Sequence, residues 1–148
     1  MSDIQIMRIL VPIDGSDSSI RAAKYAVKIA NMANADIIFM HAVVNPPYVE
    51  YETAGVVVPA HTEEVRRHAE MWFMAVGDLA SKQNVKFSTD TILNVNSPAD
   101  SIVSYADNNK VDLIIMGTKG RTGIKRFIVG SVANSVVSHA KCPVMVVR

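Results

Sequence analysis

Continuous apolar runs alternate along this chain with segments whose apolar residues recur every three or four positions. The runs at 6–13 (broken only by Arg8), 37–44, 111–116 and 144–147 read as strands, as does the more polar stretch 86–93. Their near-unbroken apolar character predicts strands covered on both faces. Between the first two, Ile20, Ala23, Val27 and Ala30 mark one face of a helix. Val65, Ala69, Trp72, Val76 and Leu79 form a stripe within a second helix over 61–82. Ser97-Pro98 opens a third, running to about Asn108, because proline suits the first helical position and Asp100 the favourable first turn. A fourth follows over 132–140. Five strands in strict alternation with four helices predict an α/β fold: one doubly wound, open, mostly parallel sheet with helices on both faces. No linker, internal repeat or low-complexity segment divides the 148 residues, so 1–148 is expected to be a single domain.

Composition narrows the function classes. Hydrophobic residues make up 49% and charged residues 20%, as in a soluble globular protein, and the formal net charge is +1. That balance gives no global pull toward nucleic acid or a membrane surface. The one cysteine, Cys142, cannot form an internal disulfide and fits a reducing compartment. Residues 1–5 lack a secretory pattern, and no apolar run approaches the roughly 20 residues needed to cross a bilayer. A cytoplasmic location is the expectation.

In an open parallel sheet, ligands bind beyond the carboxyl ends of the strands, where the winding direction reverses. Asp14 follows the first strand, in the polar turn Asp14-Gly15-Ser16-Asp17-Ser18. Val43 lies at the end of the second. Gly117-Thr118-Lys119-Gly120-Arg121 ends the fourth, and Gly130-Ser131 follows nine residues after Gly120 at a helix start. Glycines allow positive φ and close approach to a ligand, and an opening helix presents unpaired N–H groups suited to an anion. Lys119, Arg121, Lys125 and Arg126 lie in this stretch without any acid. If the first and fourth strands are neighbours, Asp14 and Gly117 flank one crevice. A carboxylate there can accept both hydroxyls of a ribose, Pro12 and Val43 can contact a base, and the glycine loop can hold phosphates. The long connection 45–59, with Pro46, Pro47, Gly55 and Pro59, exceeds the usual loop length and is a candidate responsive segment.

On these residues the chain resembles the universal stress protein family over nearly its whole length. The resemblance is carried by Pro12-Ile13-Asp14-Gly15-Ser16, His41-Ala42-Val43, the stretch 111–117 and the ending Cys142-Pro143-Val144-Met145-Val146-Val147. Gly117, Gly120, Gly130 and Ser131 fit the Gly-x2-Gly-x9-Gly-Ser/Thr motif of its ATP-binding branch. The resemblance implies an adenine nucleotide alpha hydrolase-like sheet of strand order 3-2-1-4-5. It also implies ATP (or ADP or AMP) with Mg2+ or Mn2+ bound through the phosphates. Asp14 would take the ribose, Pro12 and Val43 the adenine end, and Gly117, Gly120, Gly130, Ser131 and Val132 the phosphates. A homodimer through the last strand is implied too, and that strand is an edge whose open backbone groups a second copy would satisfy. Gly123, Lys119 and Arg121 fall in the motif's variable part and receive no role.

Each feature has a plainer reading. Asp14 could cap the first helix, although Ser16 and Ser18 compete for that position. The cations could be a solvated surface. His41 reads as a hydrogen-bonded structural residue, and His61, His68 and His139 have no metal-ligand spacing. Met71, Trp72, Phe73 and Met74 read as helix core or lid packing. Cys142 reads as a packed small side chain. No Gly-Lys-Ser/Thr follows the first strand, and Asp112 begins the fourth strand at the end away from the crevice. Binding with slow or no turnover follows, as in a nucleotide-dependent sensor acting on an unidentified protein partner. The rivals are an adenylating ATP pyrophosphatase-like enzyme, whose Ser-Gly-Gly-x-Asp-Ser loop is only partly matched by residues 13–18, and a dimerising docking module with a vestigial site. Flavin rests on fold analogy alone.

Overall fold

The computed structural model describes residues 3–44, 59–118 and 129–148, the side chains of 59–62 and of Asn94 excepted. The element order is β1 (Arg8–Pro12), α1 (Asp17–Ala33), β2 (Asp36–Val44), α2 (Pro59–Lys82), β3 (Phe87–Val95), α3 (Pro98–Asn108), β4 (Leu113–Gly117), α4 (Ser131–His139) and β5 (Val144–Val147). All strand pairings are parallel, and the order across the sheet is β3-β2-β1-β4-β5. The expected doubly wound α/β sheet is therefore present. Its winding reverses between β1 and β4, which are hydrogen-bonded neighbours.

The two-residue period of the central strands divides the core into two layers. Ile9, Val11, Ile37, Phe39, Leu113 and Ile115 point to the face covered by α1 and α2. Leu10, Ile38, Met40, Ile114 and Met116 point to the face covered by α3 and α4. β1 is closed in on both sides, with Ile9, Leu10 and Val11 fully buried. The helices bury small residues (Ala22, Ala23, Ala26 and Ala30 in α1), which lets them lie close to the sheet.

Local chemistry sets the helix ends. The Ser16 side chain accepts from Ser19 N and caps α1, and Asn34 closes it in a left-handed conformation. The Ser97 side chain accepts from Asp100 N, with Pro98 in the first turn of α3, as the sequence predicts.

Two expectations change. β3 holds the expected edge position but is not covered on both faces: Ser88 and Thr89 are exposed, and the strand runs on to Val95. α2 turns Ala69, Phe73, Val76 and Ala80 inward, so Met71 and Met74 are 62% and 75% exposed and are not core. Asp112 has a structural part: its Oδ2 accepts from Met7 N and Arg8 N, at 2.9 and 3.0 Å, stitching the start of β4 to the start of β1. Among the described residues no helix is long and apolar enough to cross a membrane.

Candidate functional site

At the carboxyl end of β1 the chain leaves the sheet through a tightly held turn. Ile13 N donates to Met40 O at 2.7 Å, and His41 Nδ1 lies 2.6 Å from Ile13 O. Asp14 is half-buried, and its Oδ1 accepts from Ser16 N at 2.9 Å. Ser16, not Asp14, caps α1. The second carboxylate oxygen, Oδ2, has no hydrogen-bond partner among the described residues. Gly15 follows with φ +81°, a backbone conformation that side chains disfavour. A Cβ there would also lie 2.8 Å from Trp72 Nε1, because the indole of α2 covers the turn.

Gly117 ends β4 beside this turn. A Cβ on Gly117 would sit 2.7 Å from Ser18 C and 2.8 Å from Ser19 N, in the first turn of α1. Its lack of a side chain thus lets the start of α1 approach the end of β4. That close approach sets the Asp14 turn and the end of β4 side by side at the β1/β4 switch point. It also gives Gly117 a packing reason that the motif alone does not reveal.

Thr118, buried directly after β4, donates its N–H to Val147 O at 2.9 Å. Its carbonyl accepts from Gly130 N at 2.6 Å. One amide of the motif is therefore committed internally, and the commitment fastens the start of α4 to the end of β4. Gly130 is the N-cap of α4, at φ −56° and ψ 155°, and no side chain caps this helix. The first amides of a helix lack partners within it, and they concentrate the positive end of its dipole. The α4 start thus places main-chain donors beside the end of β4. Ser131 is exposed and Val132 half-buried. Gly120, Gly123, Lys119, Arg121, Lys125 and Arg126 lie outside the described residues, as does the connection from Asn45 to 58.

Pro12 and Val43 are both half-buried at strand ends. Pro12 is paired with Met40, so β2 continues past the end of β1 toward Val43. The β2/β3 register shifts between Ala42 and Val44, which pair with Ile92 and Val95. An extra residue of β3 is accommodated opposite Val43, an irregularity that re-aims side chains where it occurs. Neither this bulge nor the Trp72 cover over Gly15 is foreseeable from local sequence, since both depend on pairings between distant segments.

Two other groups bear on chemistry. Burial pushes the Cys142 thiol up from its ordinary range, in line with its reading as a packed side chain. Tyr105 on α3 donates its hydroxyl to Asp90 Oδ2 at 2.9 Å. Burial first, then that bond and the Asp90 charge, raise its pKa to about 12. Among the described residues no three His, Cys, Asp or Glu side chains converge as a metal site. Two surface grooves lie elsewhere, along α1 and the end of α2, lined by Lys24, Lys28 and Gln83 among others.

The universal stress protein family's sequence profile matches residues 5–148. A universal stress protein of Methanocaldococcus jannaschii is 37% identical over 141 residues, covering 95% of this chain and 81% of that protein. Among solved structures, universal stress protein UspA from Lactobacillus plantarum has a TM-score of 0.81 at 28% identity, covering 99% of this chain and 100% of that one. A universal stress protein solved in complex with cAMP has a TM-score of 0.72 at 26% identity, covering 96% and 97%.

Proposed function

The chain belongs to the universal stress protein family, and from that premise we propose that its β1/β4 crevice binds an adenine nucleotide, ATP in the first instance. One observation carries the reading. The α4 start, whose N-cap Gly130 supplies no capping side chain, is fastened through Thr118 to the strand end beside Asp14, whose Oδ2 is unpaired among the described residues. In this reading Asp14 accepts the ribose hydroxyls, Pro12 and Val43 flank the base, and the amides of Ser131 and Val132 meet the phosphates. Gly120 completes the phosphate loop, and Gly117 keeps the crevice narrow by admitting α1. The cAMP complex of a related protein supports the choice of base and sugar.

The divalent ion that accompanies ATP, Mg2+ or Mn2+, is held through the phosphates and neutralises their charge, and no residue of the chain is assigned to it. No group is assigned to hydrolysis either, so the nucleotide serves as a regulatory ligand in a stress response, with slow or no turnover. ADP and AMP fit the same base and ribose contacts. We also assign a homodimer through β5, an edge strand whose Met145 is 38% exposed, with Val137 of α4 50% exposed. The protein partner is left unnamed, and the single cysteine, Cys142, fits the reducing environment of the cytoplasm.

Isothermal titration of the purified chain with ATP, ADP and AMP in the presence of Mg2+ tests the site. Saturable binding is expected; no heat at millimolar ligand refutes it. Light scattering at micromolar protein tests the dimer, and a monomer mass refutes that part.

A further inference from the structure

We propose that His41 and Trp72 are positioning residues that fix the carboxylate of Asp14 for a ribose diol. The inference rests on the nucleotide reading above and extends it to side chains outside the glycine motif. Asp14 lies between two residues that are each pinned by one of this pair. His41 stands in β2 just past the last residue paired with β1, since Pro12 is opposite Met40. Its Nδ1 lies 2.6 Å from Ile13 O. A carbonyl can only accept, so Nδ1 carries the proton and donates. Ile13 N is already given to Met40 O, so both peptide groups of Ile13 are fixed. On the other side of Asp14, Gly15 adopts φ +81° under the indole of Trp72.

The two pins are one unit. The His41 and Trp72 rings meet edge to face, with centroids 5.1 Å apart and planes at 88°. His68 stacks on the same indole at 6.3 Å and 20°. Aromatic pairs of this geometry contribute beyond their buried area and hold each other's orientation. The result is a clamp from β2 and α2 on the turn Ile13–Gly15, which leaves Asp14 little freedom to rotate away. A carboxylate that must accept two hydroxyls at once gains affinity from being held before the ligand arrives. The clamp acts through Asp14, so its effect is specific to ligands that carry the ribose hydroxyls.

The test compares ATP with 2′,3′-dideoxy-ATP by calorimetry on the full chain. The wild type is expected to prefer ATP by about ten-fold or more, since hydroxyls donating to a carboxylate form charge-assisted bonds. His41→Phe keeps a ring against Trp72 and removes the donor. The preference is expected to fall below about three-fold, with ATP losing more affinity than the dideoxy nucleotide. His41→Asn, which again offers an N–H near that position, should restore part of the preference. In an Asp14→Asn background, His41→Phe should no longer change the ratio. A merely structural part for His41 would lower both affinities together and leave the ratio intact, and that result overturns the proposal. If His41→Phe does not fold by circular dichroism, Trp72→Leu carries the same test, and an unchanged ratio again overturns it. A wild type that binds neither nucleotide fails the nucleotide reading itself, whereas one that binds both equally keeps that reading and overturns the ribose contact on which the clamp depends. A discriminating wild type with indifferent variants fails only the clamp.

Discussion

Replacing Gly130 by aspartate should stabilise the protein while weakening ATP. Gly130 is the N-cap of α4, and its backbone, φ −56° and ψ 155°, suits a side chain that bonds to the helix amides. Aspartate there improves the cap by a few tenths of a kcal/mol and adds a favourable charge at the positive helix end, together about 0.5–1 kcal/mol. For a chain of this size that corresponds to a melting temperature raised by about 1–4 °C. The same carboxylate occupies the amides assigned to the phosphates and repels them. Charge-assisted hydrogen bonds contribute about 1.5–3 kcal/mol each, so ATP should lose about ten- to a hundred-fold in affinity. Adenosine, which lacks phosphates, should change by no more than about two-fold. Calorimetric melting and titration with both ligands give all three quantities on one sample. The opposed signs matter, because a damaged fold would lower stability and binding together. The reasoning is refuted if ATP keeps its affinity in a protein that has gained stability, or if adenosine weakens as much as ATP.

Gly117→Ala places a Cβ 2.7 Å from Ser18 C and 2.8 Å from Ser19 N, both backbone atoms that cannot swing aside. It should cost about 1–3 kcal/mol of stability by overpacking, and an unaltered melt would show that α1 can retreat without penalty. Asp112→Ala removes the acceptor of Met7 N and Arg8 N. It should lower stability by about 1–2 kcal/mol with ATP affinity unchanged, because it lies at the opposite end of the sheet. Tyr105, raised from 10.0 to about 12, holds its proton more firmly when folded than when unfolded. The stability it lends is therefore complete below about pH 10 and is lost as the pH rises through about 12. Ultraviolet titration should show one late-ionising tyrosine that vanishes in Tyr105→Phe, and an ordinary midpoint would contradict this.

The centre of the fold was legible because β1, β2 and β4 are covered on both faces, and that condition writes itself as unbroken apolar runs. The edge was less so. β3 is partly open to solvent, so Ser88 and Thr89 interrupt its pattern, and its extension to Val95 follows from pairing with β2 rather than from its own residues. The α2 stripe was displaced by a residue: Val76 and Ala69 were identified as inward-facing, but Phe73 and Ala80 complete the buried face, while Trp72 and Leu79 lie at its margin. At the site, the sequence picks out Asp14 and Gly130 because strand ends and helix starts have local signatures. It assigns Gly117 to the phosphates, but gives no sign that a side chain there would also meet the α1 backbone, from a segment almost a hundred positions earlier. The cover of Gly15 by Trp72 escaped for the same reason. A contact between distant segments leaves no periodic mark on either.

The most direct test of the account is an amide-resolved NMR titration with ATP and Mg2+. The largest shifts are predicted at Asp14, Gly15, Ser131, Val132 and Ala133, on both sides of the crevice, with little change at Asp112 at the other end of the sheet. Saturating ATP that leaves these amides unmoved, or that moves residues along the α1 groove such as Lys24 and Lys28 instead, would contradict it.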